Sequence, residues 1–283
     1  MIFWVASYPK SGNTWLRALL SSYFYSEKGK FDQKLLSKIQ QFPQKKFFNN
    51  FNYDKKIVTD TSKFWIEAQK EINLDKNLRF FKTHNILGGL NGNQFTNIQN
   101  TIGAVYIVRD PRNVITSLKN HYEMNDNDAL KFMLSKNKYT YDYYKQDDYS
   151  DFQLISSWEN NYKSWKFQKI IPIKFIKYED LYSETYKVFK DLIEFINFTC
   201  KNQKKFNKNK AQNAIYSSSF DNLKKIEDKH GFSESILSKT GKNKISFFNL
   251  GPKNNWENIF DENYQNKLNL VFESNLKDLN YLS

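Results

Sequence analysis

Residues 2–25 of the chain read IFWVASYPKSGNTWLRALLSSYFY, and this stretch indicates the fold. It opens with an apolar run that ends close to Pro9, which is typical of a buried strand because proline cannot donate a hydrogen bond within a sheet. From Thr14 onward apolar side chains recur at helical spacing, and either Asn13 or Thr14 is able to cap the first turn. The stretch therefore predicts a strand, a tight loop and a helix.

The same pattern returns further along the chain. Residues 104–108 (AVYIV) form a second apolar run, after which Asp110 is placed to cap a helix over 112–123 with Pro111 at its first position. Further strands are predicted at 78–82 and 170–176, a further helix at 182–195, and surface excursions or lids at 34–61 and 137–151. Alternating strands and helices predict one α/β domain over residues 1–283, with a mostly parallel central sheet flanked by helices.

The composition excludes several classes of protein. With 283 residues, 40% of them hydrophobic, the chain can bury a large core, so a disordered chain, a collagen-like repeat and a disulfide mini-scaffold are excluded. A formal charge of +13 favours an anionic ligand, although a general bias towards Lys and Asn explains it equally well. Cys200 is the single cysteine, no His/Cys cluster has zinc spacing, and no apolar run could span a membrane. We expect a cytoplasmic protein without a metal.

The loop at residues 7–15 (SYPKSGNTW) carries the clearest chemistry. Backbone N–H groups at the start of a helix favour anions, and Lys10, Ser11 and Thr14 add a cation and two hydroxyls. The loop does not match the nucleotide-triphosphate motif GxxxxGK[ST], because Asn13 stands where that motif has lysine. An ordinary strand-to-helix turn without a ligand is the alternative interpretation.

Residues 8–15 (YPKSGNTW) resemble the phosphosulfate-binding loop of the sulfotransferase family. Further segments resemble motifs of that family in the same order: KTH at 82–84, VYIVRDPRNVITS at 105–117, WENNYKSW at 158–165 with YEDL at 178–181, and SSF at 218–220 with GPKNNWENIF at 251–260. The resemblance extends from about Trp4 to Phe260. Several motifs in the same order are far more specific evidence for a family than any one motif alone.

The resemblance implies transfer of a sulfuryl group from 3'-phosphoadenosine 5'-phosphosulfate (PAPS), which leaves adenosine 3',5'-bisphosphate (PAP) as product. The acceptor would be a hydroxyl or amine on a small molecule, glycan or lipid, with no metal and no nucleic acid involved. His84 is the implied general base, and Lys10 would neutralise charge on the leaving phosphate. The implied donor-binding residues are Lys10, Ser11, Gly12, Asn13, Thr14, Trp15, Arg109, Ser117, Tyr178, Phe220, Gly251 and Lys253.

One departure from the family pattern concerns the 3'-phosphate. The family usually has Arg-Lys-Gly before its last tryptophan, whereas this chain has Asn249, Leu250 and Gly251. Lys253 is able to replace one of the missing cations, which leaves the strength of 3'-phosphate binding open.

Several residues keep two interpretations. Without the resemblance, His84 would be a hydrogen-bonded histidine at a strand end, and we interpret His121 and His230 as solvated or structural. Loop aromatics either recognise the acceptor or pack on the domain: Tyr122, Phe132, Tyr139, Tyr141, Tyr143 and Tyr144.

Two alternative functions are a nucleotide-dependent kinase with a degenerate phosphate loop and a non-enzymatic polyanion- or RNA-binding protein.

Overall fold

The computed structural model describes residues 1–141, 147–241 and 243–282. Its strands are β1 (Ile2–Ser7), β2 (Gln40–Gln41), β3 (Arg79–Thr83), β4 (Gly89–Leu90), β5 (Asn93–Gln94), β6 (Thr101–Val108), β7 (Tyr139–Thr140), β8 (Gln153–Leu154) and β9 (Ile173–Lys177). Its α-helices are α1 (Asn13–Tyr25), α2 (Trp65–Ile72), α3 (Pro111–Tyr122), α4 (Asp126–Leu134), α5 (Trp158–Lys166), α6 (Tyr178–Ser183), α7 (Thr185–Thr199), α8 (Lys208–Ser217), α9 (Phe220–His230) and α10 (Glu262–Asp278). Short 3-10 helices cover Gln33–Lys38, Lys45–Phe48, Asp60–Phe64, Gly251–Lys253 and Trp256–Asn258.

The central sheet is parallel throughout and has the order β2-β3-β1-β6-β9. Side chains of β1 alternate between two cores: Trp4 packs on one face of the sheet, and Phe3 and Val5 pack on the other. Helices cover both faces, which is why the strands are apolar on both sides. The predicted α/β fold with a parallel central sheet is confirmed.

The predicted strands and helices occur with shifted ends. β6 begins at Thr101, three residues before the predicted start, because Thr101 pairs with Ile2 of the neighbouring strand. The predicted helix at 182–195 corresponds to α7, which begins at Thr185 because a separate short helix, α6, occupies Tyr178–Ser183 directly after β9 and the helical conformation is interrupted at Glu184. As predicted, Asp110 caps α3, accepting a hydrogen bond from the Arg112 N–H.

The prediction that residues 34–61 form a surface excursion was wrong in part. The segment adds β2 to the edge of the sheet, where Gln40 pairs with Phe81. Phe42 and Phe48 are fully buried in the core on that side. Their burial depends on the neighbouring strand, so the segment shows no periodicity of its own.

The sheet brings four chain segments to one edge. Ser7, His84, Arg109 and Tyr178 lie at or just after the carboxyl ends of β1, β3, β6 and β9. In open α/β sheets ligands bind at this edge, where the strands enter loops and helices. No helix in the described ranges is long and apolar enough to cross a membrane.

Candidate active site

A cavity of about 1440 Å³ opens at the carboxyl edge of the sheet. It is larger than most small-molecule sites, which enclose roughly 300–1,000 Å³, so it has room for a nucleotide and a second ligand. The predicted site residues that line it are Lys10, Gly12, Asn13, Thr14, Trp15, His84, Arg109, Ser117, Tyr178, Phe220 and Gly251. Ser11 is buried without lining the cavity, and Lys253 is exposed and lies outside the lining.

The loop between β1 and α1 owes its shape to Gly12. Its φ of +100° suits glycine, and a Cβ there would lie 2.6 Å from the Tyr178 ring. The expected cap by Asn13 or Thr14 was wrong, because Gly12 is the N-cap residue and no side chain caps the helix. Asn13 donates instead to the Val5 carbonyl (3.0 Å) and the Ser7 hydroxyl (3.2 Å). The start of α1 therefore keeps backbone N–H groups for an anion.

His84 is held in one tautomer. Its Nδ1 lies 2.7 Å from the Ser7 carbonyl oxygen, and because a carbonyl only accepts, Nδ1 carries the proton. Gln153 accepts from the His84 backbone N–H at 2.7 Å, which anchors the residue. Burial, followed by the charge of Lys82, lowers the pKa of His84 to about 3. The imidazole is therefore neutral, with its lone pair on Nε2.

Two lysines line the same part of the cavity. The Lys10 ammonium lies 4.0 Å from the centre of the Phe247 ring, and burial lowers the Lys10 pKa to about 7. Lys82 lies on β3, two residues before His84. The sequence had not indicated a role for it. Burial also lowers the pKa of Lys82, while the carboxylate of Glu234 opposes that shift. The signal for Lys82 was present in the sequence, because a strand places residues two apart on the same face.

Glu234 is a site residue that the sequence did not reveal. Its carboxylate accepts from the Thr14 hydroxyl at 2.6 Å and forms an ion pair with Arg17, and Lys82 lies 3.9 Å away. Burial alone would raise the pKa of Glu234, but the charges of Lys82 and Arg17 outweigh burial and hold that pKa well below its usual range. A carboxylate thus lies beside the loop that was expected to bind an anion.

Arg109 lies among aromatic residues of the cavity lining. Arg109 is 7% exposed, its guanidinium lies 4.2 Å from the centre of the Tyr178 ring, and its Nε has no hydrogen-bond partner in the described structure. Trp15 packs edge-on against Tyr178 at 5.6 Å. Gly251 packs so tightly on Phe220 that a Cβ would lie 2.2 Å from the ring. Flat apolar surfaces beside a buried guanidinium suit a base and a phosphate.

Ser117 lies about two turns into α3 and forms a hydrogen bond with Asn254, for which the sequence indicated no role. The Asn254 amide donates to the Ser117 hydroxyl at 3.1 Å and to the Asn113 carbonyl at 2.9 Å. The Asn254 side-chain oxygen accepts from Thr116 at 2.5 Å. Asn254 thus ties the 3-10 helix Gly251–Lys253 to α3.

The third part of the cavity is aromatic. Tyr122, Phe132, Tyr139 and Tyr141 line it, whereas Tyr143 and Tyr144 lie outside the described residues. His121 also lines the cavity and is buried, so it is not solvated, while His230 is exposed. Burial, followed by the charge of Lys10, lowers the pKa of His121 to about 3. No group of three or more His, Cys, Asp or Glu residues within the described ranges could hold a metal ion.

This geometry defines an α/β protein in which a strand, a loop and the uncapped start of a helix lie beside a neutral imidazole. The family model of the sulfotransferase domain matches residues 2–280, so the chain belongs to the sulfotransferase family. The chain is 24% identical to cytosolic sulfotransferase 1 of Arabidopsis thaliana, over 96% of this chain and 78% of the relative.

Solved structures share the fold. A mouse sulfotransferase complexed with PAP has a TM-score of 0.59 and 19% identity, and the match covers 98% of this chain and 84% of that one. Retinol dehydratase in complex with androsterone and inactive cofactor PAP has a TM-score of 0.58 and 17% identity, with 98% and 81% covered.

Proposed function

We propose that the chain transfers a sulfuryl group from PAPS to a hydroxyl or amine of an acceptor molecule, with His84 as general base. One observation carries this assignment: the bond from His84 Nδ1 to the Ser7 carbonyl leaves the Nε2 lone pair in a cavity that Lys10 and Lys82 also line. Family membership and the PAP in the related solved structures support the choice of donor.

The residues present fit this donor. Ser11 Oγ and Arg109 Nε are buried polar atoms with no partner in the described structure, and both belong to segments expected to hold its anionic groups. Gly12 brings the backbone against Tyr178 without a side chain between them. We therefore assign the 5'-phosphosulfate to the loop before α1, the adenine to Trp15 and Tyr178, and the 3'-phosphate to Arg109.

Each catalytic group has a definable task. His84 Nε2 accepts the proton of the acceptor as the acceptor atom bonds to sulfur and the bond from sulfur to the phosphate oxygen breaks. The negative donor raises the pKa of the imidazole on binding, which strengthens it as a base. Lys10 holds its ammonium where charge develops on the leaving phosphate, and such stabilisation is typically worth about 3 kcal/mol. Lys82 adds a second cation close to His84.

The test compares His84→Gln with His230→Gln, which makes the same change at an exposed histidine. We expect His84→Gln to reduce transfer of labelled sulfate from PAPS at least about a hundredfold and to leave the Kd of PAP unchanged, because the base acts on the acceptor. His230→Gln should leave both unchanged. Near-normal turnover by His84→Gln would contradict the role of His84, and a requirement of Mg²⁺ for nucleotide binding would favour the kinase instead.

A further inference from the structure

We propose that this chain recognises the 3'-phosphate of its donor with a single guanidinium, and that it therefore also uses adenosine 5'-phosphosulfate, which lacks that phosphate. The inference rests on the proposed function, because it assigns Arg109 and Ser117 to the 3'-phosphate end of the site. It goes further in naming a second class of sulfuryl donor.

The hydroxyl and amide groups at this end already form hydrogen bonds within the protein. The Ser117 hydroxyl donates to the Asn113 carbonyl at 3.2 Å and accepts from the Asn254 amide. Both protons of that amide are used, since Asn254 also donates to the Asn113 carbonyl. The single proton of the Thr116 hydroxyl is shared between the Asn254 side-chain oxygen at 2.5 Å and the Asn113 carbonyl at 2.7 Å. A phosphate could reach these hydroxyls only by replacing bonds that already exist, which reduces its net gain.

Positive charge is scarce at the same end. The other cations that line the cavity in the described ranges contact other residues of the lining: Lys10 lies over Phe247, Lys82 beside Glu234 and Lys138 over Phe132, and Lys239 donates to the Glu123 carbonyl. The loop that faces Arg109 contributes Asn249, Leu250 and Pro252 to the lining, and none of them is charged.

The two charged residues closest to Arg109 in the sequence, Asp110 and Arg112, neutralise each other. The Asp110 carboxylate accepts from the Arg112 guanidinium at 2.7 Å, so this buried pair is neutral as a unit. Arg109 itself is the exception, because its Nε lacks a partner and it lies against Tyr178 and the Gly251 carbonyl. A phosphate dianion here would meet one guanidinium, whereas a site selective for it would need further cations or free donors.

The groups that would bind the 5'-phosphosulfate end of the donor are present. No side chain caps the start of α1, and Lys10 and Lys82 line the cavity near His84. Adenosine 5'-phosphosulfate carries the same bond from sulfur to phosphate oxygen as PAPS. Transfer from it forms the bond between acceptor and sulfur, breaks that same bond, passes the acceptor proton to His84 and releases AMP. No co-reactant beyond the acceptor is needed.

The experiment titrates the purified protein with PAP and with AMP by calorimetry. One charge-assisted contact is worth roughly ten- to a hundredfold in affinity, so we expect PAP to bind no more than about a hundredfold more tightly than AMP. We also expect turnover with adenosine 5'-phosphosulfate. A preference for PAP well above about a hundredfold would overturn the inference and leave the proposed function standing. Failure to bind either nucleotide would overturn both.

A gain-of-selectivity variant gives a second readout. Asn249→Arg places a cation on the exposed loop that faces Arg109, and Asn258→Arg makes the same change at an exposed residue outside the cavity. Asn249→Arg should tighten PAP binding at least about tenfold and leave AMP binding unchanged, whereas Asn258→Arg should alter neither. An equal effect of both variants, or none from Asn249→Arg, would contradict a 3'-phosphate end that lacks positive charge.

Discussion

The ion pair between Arg17 and Glu234 joins α1 to the segment after α9, and breaking it should destabilise the whole fold. The Arg17 side chain is 6% exposed and that of Glu234 is 23% exposed, so neither charge is well solvated. Glu234→Gln leaves a buried guanidinium whose remaining bonds go to the Leu36 and Ile39 carbonyls. Removing one partner of a buried pair costs about 3 kcal/mol when the other keeps some hydrogen bonds.

For a chain of this length that loss corresponds to a decrease of about 6 °C in Tm, measured by circular dichroism at pH 7. Glu257→Gln is the matched control, because Glu257 is exposed. The pKa of Glu234 lies below its unfolded value, so its contribution is present above that value, about 4.3, and is lost as pH falls below it. The free energies of unfolding of the unchanged protein and of Glu234→Gln should therefore become more nearly equal as the pH falls. Equal Tm values for Glu234→Gln and the control at pH 7 would refute the reasoning.

Three further predictions concern the site itself. Because the pKa of His84 is about 3, kcat/KM should stay flat between about pH 6, where Lys10 is protonated, and about pH 4, and a decrease towards acid centred near 6.5 would contradict a neutral buried imidazole. Because the pKa of Lys10 is about 7, PAP binding at about pH 8 should take up protons, seen by calorimetry in buffers of different ionisation enthalpy, and Lys10→Met should abolish this uptake. Gly12→Ala should weaken PAP binding at least about tenfold. Gly92→Ala, with a similar φ of +83° but open space around it, should not weaken it, and equal effects would show that contact with Tyr178 is irrelevant.

Local pattern was enough to predict the elements that position the site. Residues 2–7 form a strand with apolar side chains on both faces, and after Gly12 apolar side chains recur at helical spacing. Asp110 with Pro111 marks the start of α3. Each signal lies within a few residues of the element that it specifies. Since parallel strands end at one edge, placing His84 and Arg109 after strands also placed them near the loop.

Tertiary structure decided the charges and hydrogen bonds inside the cavity. Thr14 and Glu234 are 220 positions apart, and Ser117 and Asn254 are 137 apart. No periodicity links residues so distant, because their meeting depends on how α9 and the final loops pack over the sheet. The amino-acid sequence by itself determined the strand, the loop, the helix and the family to which they belong. Which hydroxyls and cations remain free for a ligand was decided only by folding, since a hydrogen bond exists only where both of its partners are brought into contact.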